Sequence, residues 1–296
     1  MIEGPAMKRL LSLVLLALSM PFLAGAQAVR YGSNPSAGHT FTHDGVKLYY
    51  ETYGAGEPLL LVHFNGGSIA GFGAQISHFR KHYKVIAMDS RGQGKSGDGP
   101  DELTYEKMTD DLAALLDHLK VGPAYVLGWS DGAVEALLLA IRHPAKVKKI
   151  AAMAGNLDPN GLHPDVIAVI KGMSAEIPEA ARSTPEGQRE VKLMKMMLEE
   201  PHIEGKALEA ITAPTLVLAG DHDVVRDEHT IEIYHHIPNS QLAIFPNATH
   251  TVPFDDPARF NATVEQFFRS PFVKRDRVKD AFESGAKMRA AEGKAP

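Results

Sequence analysis

The chain of 296 residues contains no cysteine. That excludes disulfide staples, and it excludes a thioether-linked lipid anchor, which requires a cysteine after the leader. A cysteine-free protein exported to an oxidising compartment must rest its stability on its core alone. Basic residues are in deficit as well, with 31 Lys and Arg against 36 Asp and Glu and a formal net charge of -5. There is no cationic footprint for nucleic acid. Beyond the N-terminal stretch no second apolar span appears, and there are no internal repeats.

At the N-terminus, Lys8 and Arg9 precede an apolar run from Leu10 to Leu23, and the small residues Ala24-Gly25-Ala26-Gln27-Ala28 follow. Positive charge, apolar run and A-x-A site, in that order, form the pattern of a cleaved secretory signal. The run is shorter than the ~20 apolar residues of a membrane span, and Pro21 interrupts its end. The expectation is a signal peptide over residues 1–28, with Met1 and Met7 both available as starts. The mature chain, 29–296, is then a periplasmic or secreted protein with no membrane association after cleavage.

The mature chain reads as one domain. Asp44-Gly45 separates the alternating segments His39–Thr42 and Val46–Thr52, a strong hairpin signal. Leu59–Val62 is continuously apolar, as expected of a strand buried on both faces. Strand-like runs over Lys84–Met88, Ala124–Leu127, Val147–Met153, Thr215–Ala219 and Gln241–Phe245 then alternate with helical patterns over Thr104–Lys120, Ala133–Arg142, Thr230–Ile237 and Pro257–Phe268. Such alternation predicts a mostly parallel, doubly wound α/β sheet. One interval breaks it: about 156–208 lacks strand patterning and reads as a small helical lid. From about 274 the chain is charged and rich in Ala and Gly, the pattern of a frayed helix or flexible tail.

The decisive motif is Gly128-Trp129-Ser130-Asp131-Gly132. This G-x-S-x-G follows a predicted strand and precedes a predicted helix. A serine on such a turn has its hydroxyl exposed at the carboxyl edge of the sheet, and Gly128 and Gly132 remove the bulk that would block it. A hydroxyl needs a base, and the base needs a carboxylate to orient it. In this arrangement the acid and then the histidine lie on loops after later strands. The strand Thr215–Ala219 leads into Gly220-Asp221-His222-Asp223, with Asp227 close behind. Asp223, further out on the loop, is favoured as the acid, with Asp221 expected to bond the loop backbone. Of the 14 histidines, only His250 falls between the last strand and the last helix.

Together these motifs resemble the α/β-hydrolase superfamily over about Phe41 to Arg269. The family's Gly-x-x-Asp acid motif matches Gly220 to Asp223, and its base matches His250. Its Asp-x-Arg-Gly-x-Gly-x-Ser loop is found as Asp89-Ser90-Arg91-Gly92-Gln93-Gly94-Lys95-Ser96. The family's oxyanion loop, usually His-Gly-x, reads His63-Phe64-Asn65-Gly66-Gly67, with Phe64 in place of glycine. The resemblance implies backbone donors at Asn65 and Asp131 for an oxyanion. The Asn65 side chain is left either as an additional donor or as a turn cap. Serine at the elbow, in place of aspartate, points to acyl transfer.

The expected reaction is hydrolysis of a small-molecule carboxylic ester or lactone, with no cofactor and no metal. An aminopeptidase or amidase, a thioesterase and a perhydrolase are alternatives on the same three residues, and a non-catalytic binding protein is a further one. The elbow Gly-Trp-Ser-Asp-Gly resembles the biphenyl-hydrolase-like enzymes, which include valacyclovir hydrolases. That likeness implies substrate contacts at Trp129 and Asp131, with Asp131 holding a substrate amino group or else only complementing the helix dipole.

Overall fold

The apolar runs become strands. In a computed structural model, which describes residues 29–292, eight strands form one sheet. They are β1 (Gly38–His43), β2 (Val46–Tyr53), β3 (Glu57–Val62), β4 (Tyr83–Met88), β5 (Ala124–Trp129), β6 (Val147–Met153), β7 (Thr215–His222) and β8 (Ser240–Thr249). Their spatial order is β1-β2-β4-β3-β5-β6-β7-β8. The β1–β2 hairpin and the β2–β4 pair are antiparallel, and β4 through β8 pair in parallel by way of β3. At the hairpin turn Asp44 and Gly45 both take positive φ, as a two-residue turn between twisted strands requires.

Because side chains alternate across a strand, each apolar run supplies two layers. Leu60, Val62 and Val126 join one core cluster, while Leu59, Leu61, Tyr125, Leu127 and Trp129 join the other. The helices are α1 (Gly73–Phe79), α2 (Tyr105–His118), α3 (Asp131–Arg142), α4 (Pro164–Glu176), α5 (Glu179–Arg182), α6 (Pro185–Glu199), α7 (Asp227–His236), α8 (Val252–Asp255), α9 (Pro257–Arg269) and α10 (Arg277–Glu292). The first layer packs on α2, α3 and α7 through Leu112, Leu116, Leu137 and Ile233. The second packs on α1 and α9 through Ile76, Phe79, Phe260 and Phe268. Helices on both faces of a mainly parallel sheet are the doubly wound arrangement.

Two details differ from the sequence expectation. Helix α1 has no counterpart in it, because its seven residues span barely two turns and open on glycine. The last strand runs past Phe245 through Pro246 to Thr249. An edge strand tolerates the missing N–H of proline, and β8 is the edge. At the C-terminal end α10 leaves Val278 and Phe282 exposed. Between β6 and β7 the chain forms α4, α5 and α6, each opening on or beside a proline. The expected signal peptide lies outside the described residues. Among the described residues no helix is long and apolar enough to cross a membrane.

Candidate active site

Ser130 sits between the end of β5 and the start of α3, with φ 58° and ψ -120°. A non-glycine residue there is strained, and such strain persists only where the surroundings over-determine it. The surroundings are named by the two glycines. A Cβ on Gly128 would collide with the Gly132 carbonyl, and one on Gly132 with the carbonyl of Val62. The strand, the turn and α3 thus approach more closely than any side chain allows. The Ser130 N–H bonds the Met153 carbonyl at 2.8 Å, which anchors the turn to β6. The N–H of Asp131 lies in the first turn of α3, where backbone donors have no intrahelical acceptor.

Asp223 and His250 are brought together from the loops after β7 and β8. Asp223 Oδ1 lies 2.7 Å from His250 Nδ1. The same carboxylate accepts from the N–H groups of Gly220 at 3.0 Å and Val224 at 2.8 Å. Burial pushes the Asp223 carboxyl up, yet the hydrogen bond and charge of His250, with the backbone N–H groups of Gly220 and Val225, hold it below its ordinary value. An ionised carboxylate only accepts, so Nδ1 carries the proton and Nε2 of the neutral ring presents a lone pair. Asp221 is engaged elsewhere, accepting from Asn247 N–H at 2.8 Å and Ala248 N–H at 2.9 Å. Those backbone bonds lower its carboxyl too. The geometry therefore separates the two acids: Asp221 ties the end of β7 to β8, and Asp223 meets the imidazole.

The loop after β3 carries His63 to Gly67. His63 Nδ1 donates to the Phe64 carbonyl at 2.8 Å, and Nε2 accepts from Ser90 N–H at 2.9 Å. Burial holds this imidazole down, in the neutral form those two bonds need. Phe64, in the place the family gives to glycine, does not require a positive φ; Gly66 takes it instead, at 67°. The Phe64 ring rests on Trp129, with centroids 4.4 Å apart. The Asn65 side chain neither caps a turn nor stands free. Its Nδ2 donates to Asp131 Oδ2 at 2.8 Å.

Ser130, Asp131, His250, Phe64 and Asn65 line one cavity of about 210 Å³. Its remaining walls are Tyr105 and Asn156, then Leu162, Val166, Ile170 and Met197 from the segment between β6 and β7, and Val224. Trp129, expected to touch substrate, does not line it. It is 4% exposed and sits in the core layer beneath, because strand alternation turns it away from the side on which Ser130 emerges. The wall residues that sequence reasoning did not single out are Tyr105, Asn156 and Val224, with the individual apolar positions of the segment between β6 and β7. Tyr105 is the first residue of α2, and its sequence neighbourhood carries no sign that its hydroxyl faces Asp131. Val224 had one signal, since it directly follows Asp223.

Comparison with known proteins agrees with this fold. Residues 57–197 match the family model of the alpha/beta hydrolase fold. Human serine hydrolase BPHL is 26% identical over 247 residues, covering 76% of this chain and 84% of that protein. The 3-oxoadipate enol-lactonase 2 of Acinetobacter baylyi is 28% identical over 258 residues, covering 76% of this chain and 94% of that one. Among solved structures, Est816, an N-acyl homoserine lactone degrading enzyme, superposes with a TM-score of 0.65 at 25% identity, over 77% of this chain and 100% of its own. MGS-M2, an alpha/beta hydrolase from a Medee basin deep-sea metagenome library, shares the fold at a TM-score of 0.72 and 20% identity, over 80% of this chain and 100% of its own. With its strand order, its elbow and these relatives, the chain belongs to the α/β-hydrolase fold superfamily, a family of hydrolases.

Proposed function

We propose that this hydrolase cleaves a carboxylic ester or lactone through an acyl-enzyme on Ser130. The observation that carries the reading is the His250–Asp223 pair, closed at 2.7 Å, facing the same cavity as a serine held at positive φ. The Ser130 hydroxyl attacks the carbonyl carbon while His250 Nε2 takes its proton. Asp223 orients the ring and stabilises the imidazolium. Backbone N–H groups of Asn65 and Asp131 receive the negative charge on the carbonyl oxygen. Collapse expels the alcohol, which takes the proton from His250, and water then enters by the same route to release the acid.

Support for an uncharged acyl portion comes from the walls Leu162, Val166, Ile170, Met197 and Val224. Support for esters and lactones comes from relatives that include an enol-lactonase and an N-acyl homoserine lactone degrading enzyme. We read α4 to α6 as a lid over the cavity, and the N-terminal pattern as an export signal for the periplasm or the exterior. A panel of short and long acyl esters, lactones and amides tests the reading, with Ser130→Ala as control. Turnover of esters or lactones that vanishes in Ser130→Ala supports it. Turnover of amides alone, or turnover indifferent to the substitution, overturns it.

A further inference from the structure

The two residues assigned to the oxyanion hole come from different parts of the fold. Asn65 lies on the loop after β3, and Asp131 opens α3. Each is assigned for its backbone N–H, yet their side chains also meet, Asn65 Nδ2 donating to Asp131 Oδ2 at 2.8 Å. Asp131 is buried, 5% exposed, and the hydroxyl of the buried Tyr105 faces its carboxylate from α2. Other ties fix the loop to its own side of the cleft: His63 to Ser90, and Gly66 N–H to Gln93 Oε1 at 2.6 Å. Neither of those reaches α3.

From this arrangement we propose that the Asp131 carboxylate is a latch that holds the Asn65 loop against the elbow and sets the separation of the two oxyanion donors. The proposal rests on the serine hydrolase reading above. It makes Asp131 a positioning residue through its side chain, independent of any charge on the substrate. Oxyanion donors act on charge that develops only in the transition state. Loosening the latch therefore lowers kcat and kcat/KM together and leaves KM in place. Two donors drifting out of position cost less than deleting one outright, which is worth about 10²–10³-fold in kcat.

The test exchanges donor and acceptor. Asn65→Asp replaces the donor with a carboxylate facing a carboxylate, and kcat on an amine-free ester should fall about 10- to 100-fold with KM unchanged. Adding Asp131→Asn restores an amide opposite a carboxylate with the polarity reversed, and most of the lost kcat should return. Thermal melting of both variants shows that the fold is intact. Should Asn65→Asp fail to fold, Asn65→Ala, Asp131→Ala and their double variant give a second route. A latch predicts that the double variant is no slower than the slower single one. Absence of rescue in the exchange, or losses that multiply in the double alanine variant, overturns the latch. A loss confined to the KM of α-amino esters overturns it too, and assigns Asp131 to a substrate ammonium. Fluorophosphonate labelling of Ser130 in every variant separates these outcomes from failure of the serine reading, in which the wild type itself is unlabelled.

Discussion

Trp129 Nε1 donates to the carbonyl oxygen of His250 at 2.9 Å, so the residue before the elbow serine holds the turn that carries the imidazole. Trp129 is therefore a strut between the two loops and no part of the cavity wall. Trp129→Phe keeps an aromatic ring in the core but removes the donor. Losing this part-buried hydrogen bond costs about 0.5–1.5 kcal/mol, which urea unfolding should register. The same variant should lower kcat with little change in KM, because the ring of His250 loses its support. Unchanged stability and unchanged kcat would contradict this account of Trp129.

The acid is tested by paired substitutions. Asp223→Asn should lower kcat by about 10⁴-fold, by leaving the imidazole in the wrong tautomer. Asp221→Asn should cost far less, because Asp221 bonds only backbone N–H groups of β8. Steady-state kinetics on the two purified variants decides it, and a reversed order would move the acid to Asp221.

Glu135 gives a stability prediction with a definite sign. It lies one turn beyond Asp131 on α3, fully buried, and neither carboxyl oxygen has a partner among the described residues. Burial, with the carboxylates of Asp131 and Asp111 nearby, pushes its carboxyl well above the ordinary 4.5. A raised folded-state value means that this group supports the fold below pH 4.5 and that the support is lost as pH rises through the folded-state value. Glu135→Gln cannot ionise. Its Tm relative to wild type should therefore rise between pH 4.5 and pH 8, by roughly 2–4 °C for each ~1 kcal/mol. A Tm difference that is the same at both ends would contradict an ionising, destabilising Glu135.

The N-terminal reading predicts processing after Ala28. Expressed with its full N-terminus in a Gram-negative host, the protein should collect in the periplasm, with an intact mass that begins at Val29. Full-length protein confined to the cytosol would contradict export.

Much of the architecture was legible because burial on both faces leaves a plain mark. Leu59–Val62 and Ala124–Leu127 are apolar without interruption, and they are the central strands β3 and β5. The elbow was legible because close backbone approach admits only glycine at Gly128 and Gly132. Asp223 and His250 could be nominated because strand ends position them. What stayed hidden depends on contacts between distant segments. Tyr105 reaches Asp131 across the α2–α3 packing, and Asn65 reaches it from the far side of the cleft. Neither contact leaves a periodic trace. The direction of Trp129 needed the exact end of β5, and β8 passed through a proline that its edge position allows.

The central claim is that Ser130 is the nucleophile, and covalent trapping tests it most directly. A fluorophosphonate probe incubated with the wild-type protein should modify one residue, and peptide mass spectrometry should place the adduct on Ser130. Ser130→Ala should take up no probe, should melt as the wild type does within a few degrees, and should lose ~10⁴–10⁶-fold in kcat. An adduct on another residue, or a folded Ser130→Ala protein that turns over esters and lactones at the wild-type rate, would contradict the account.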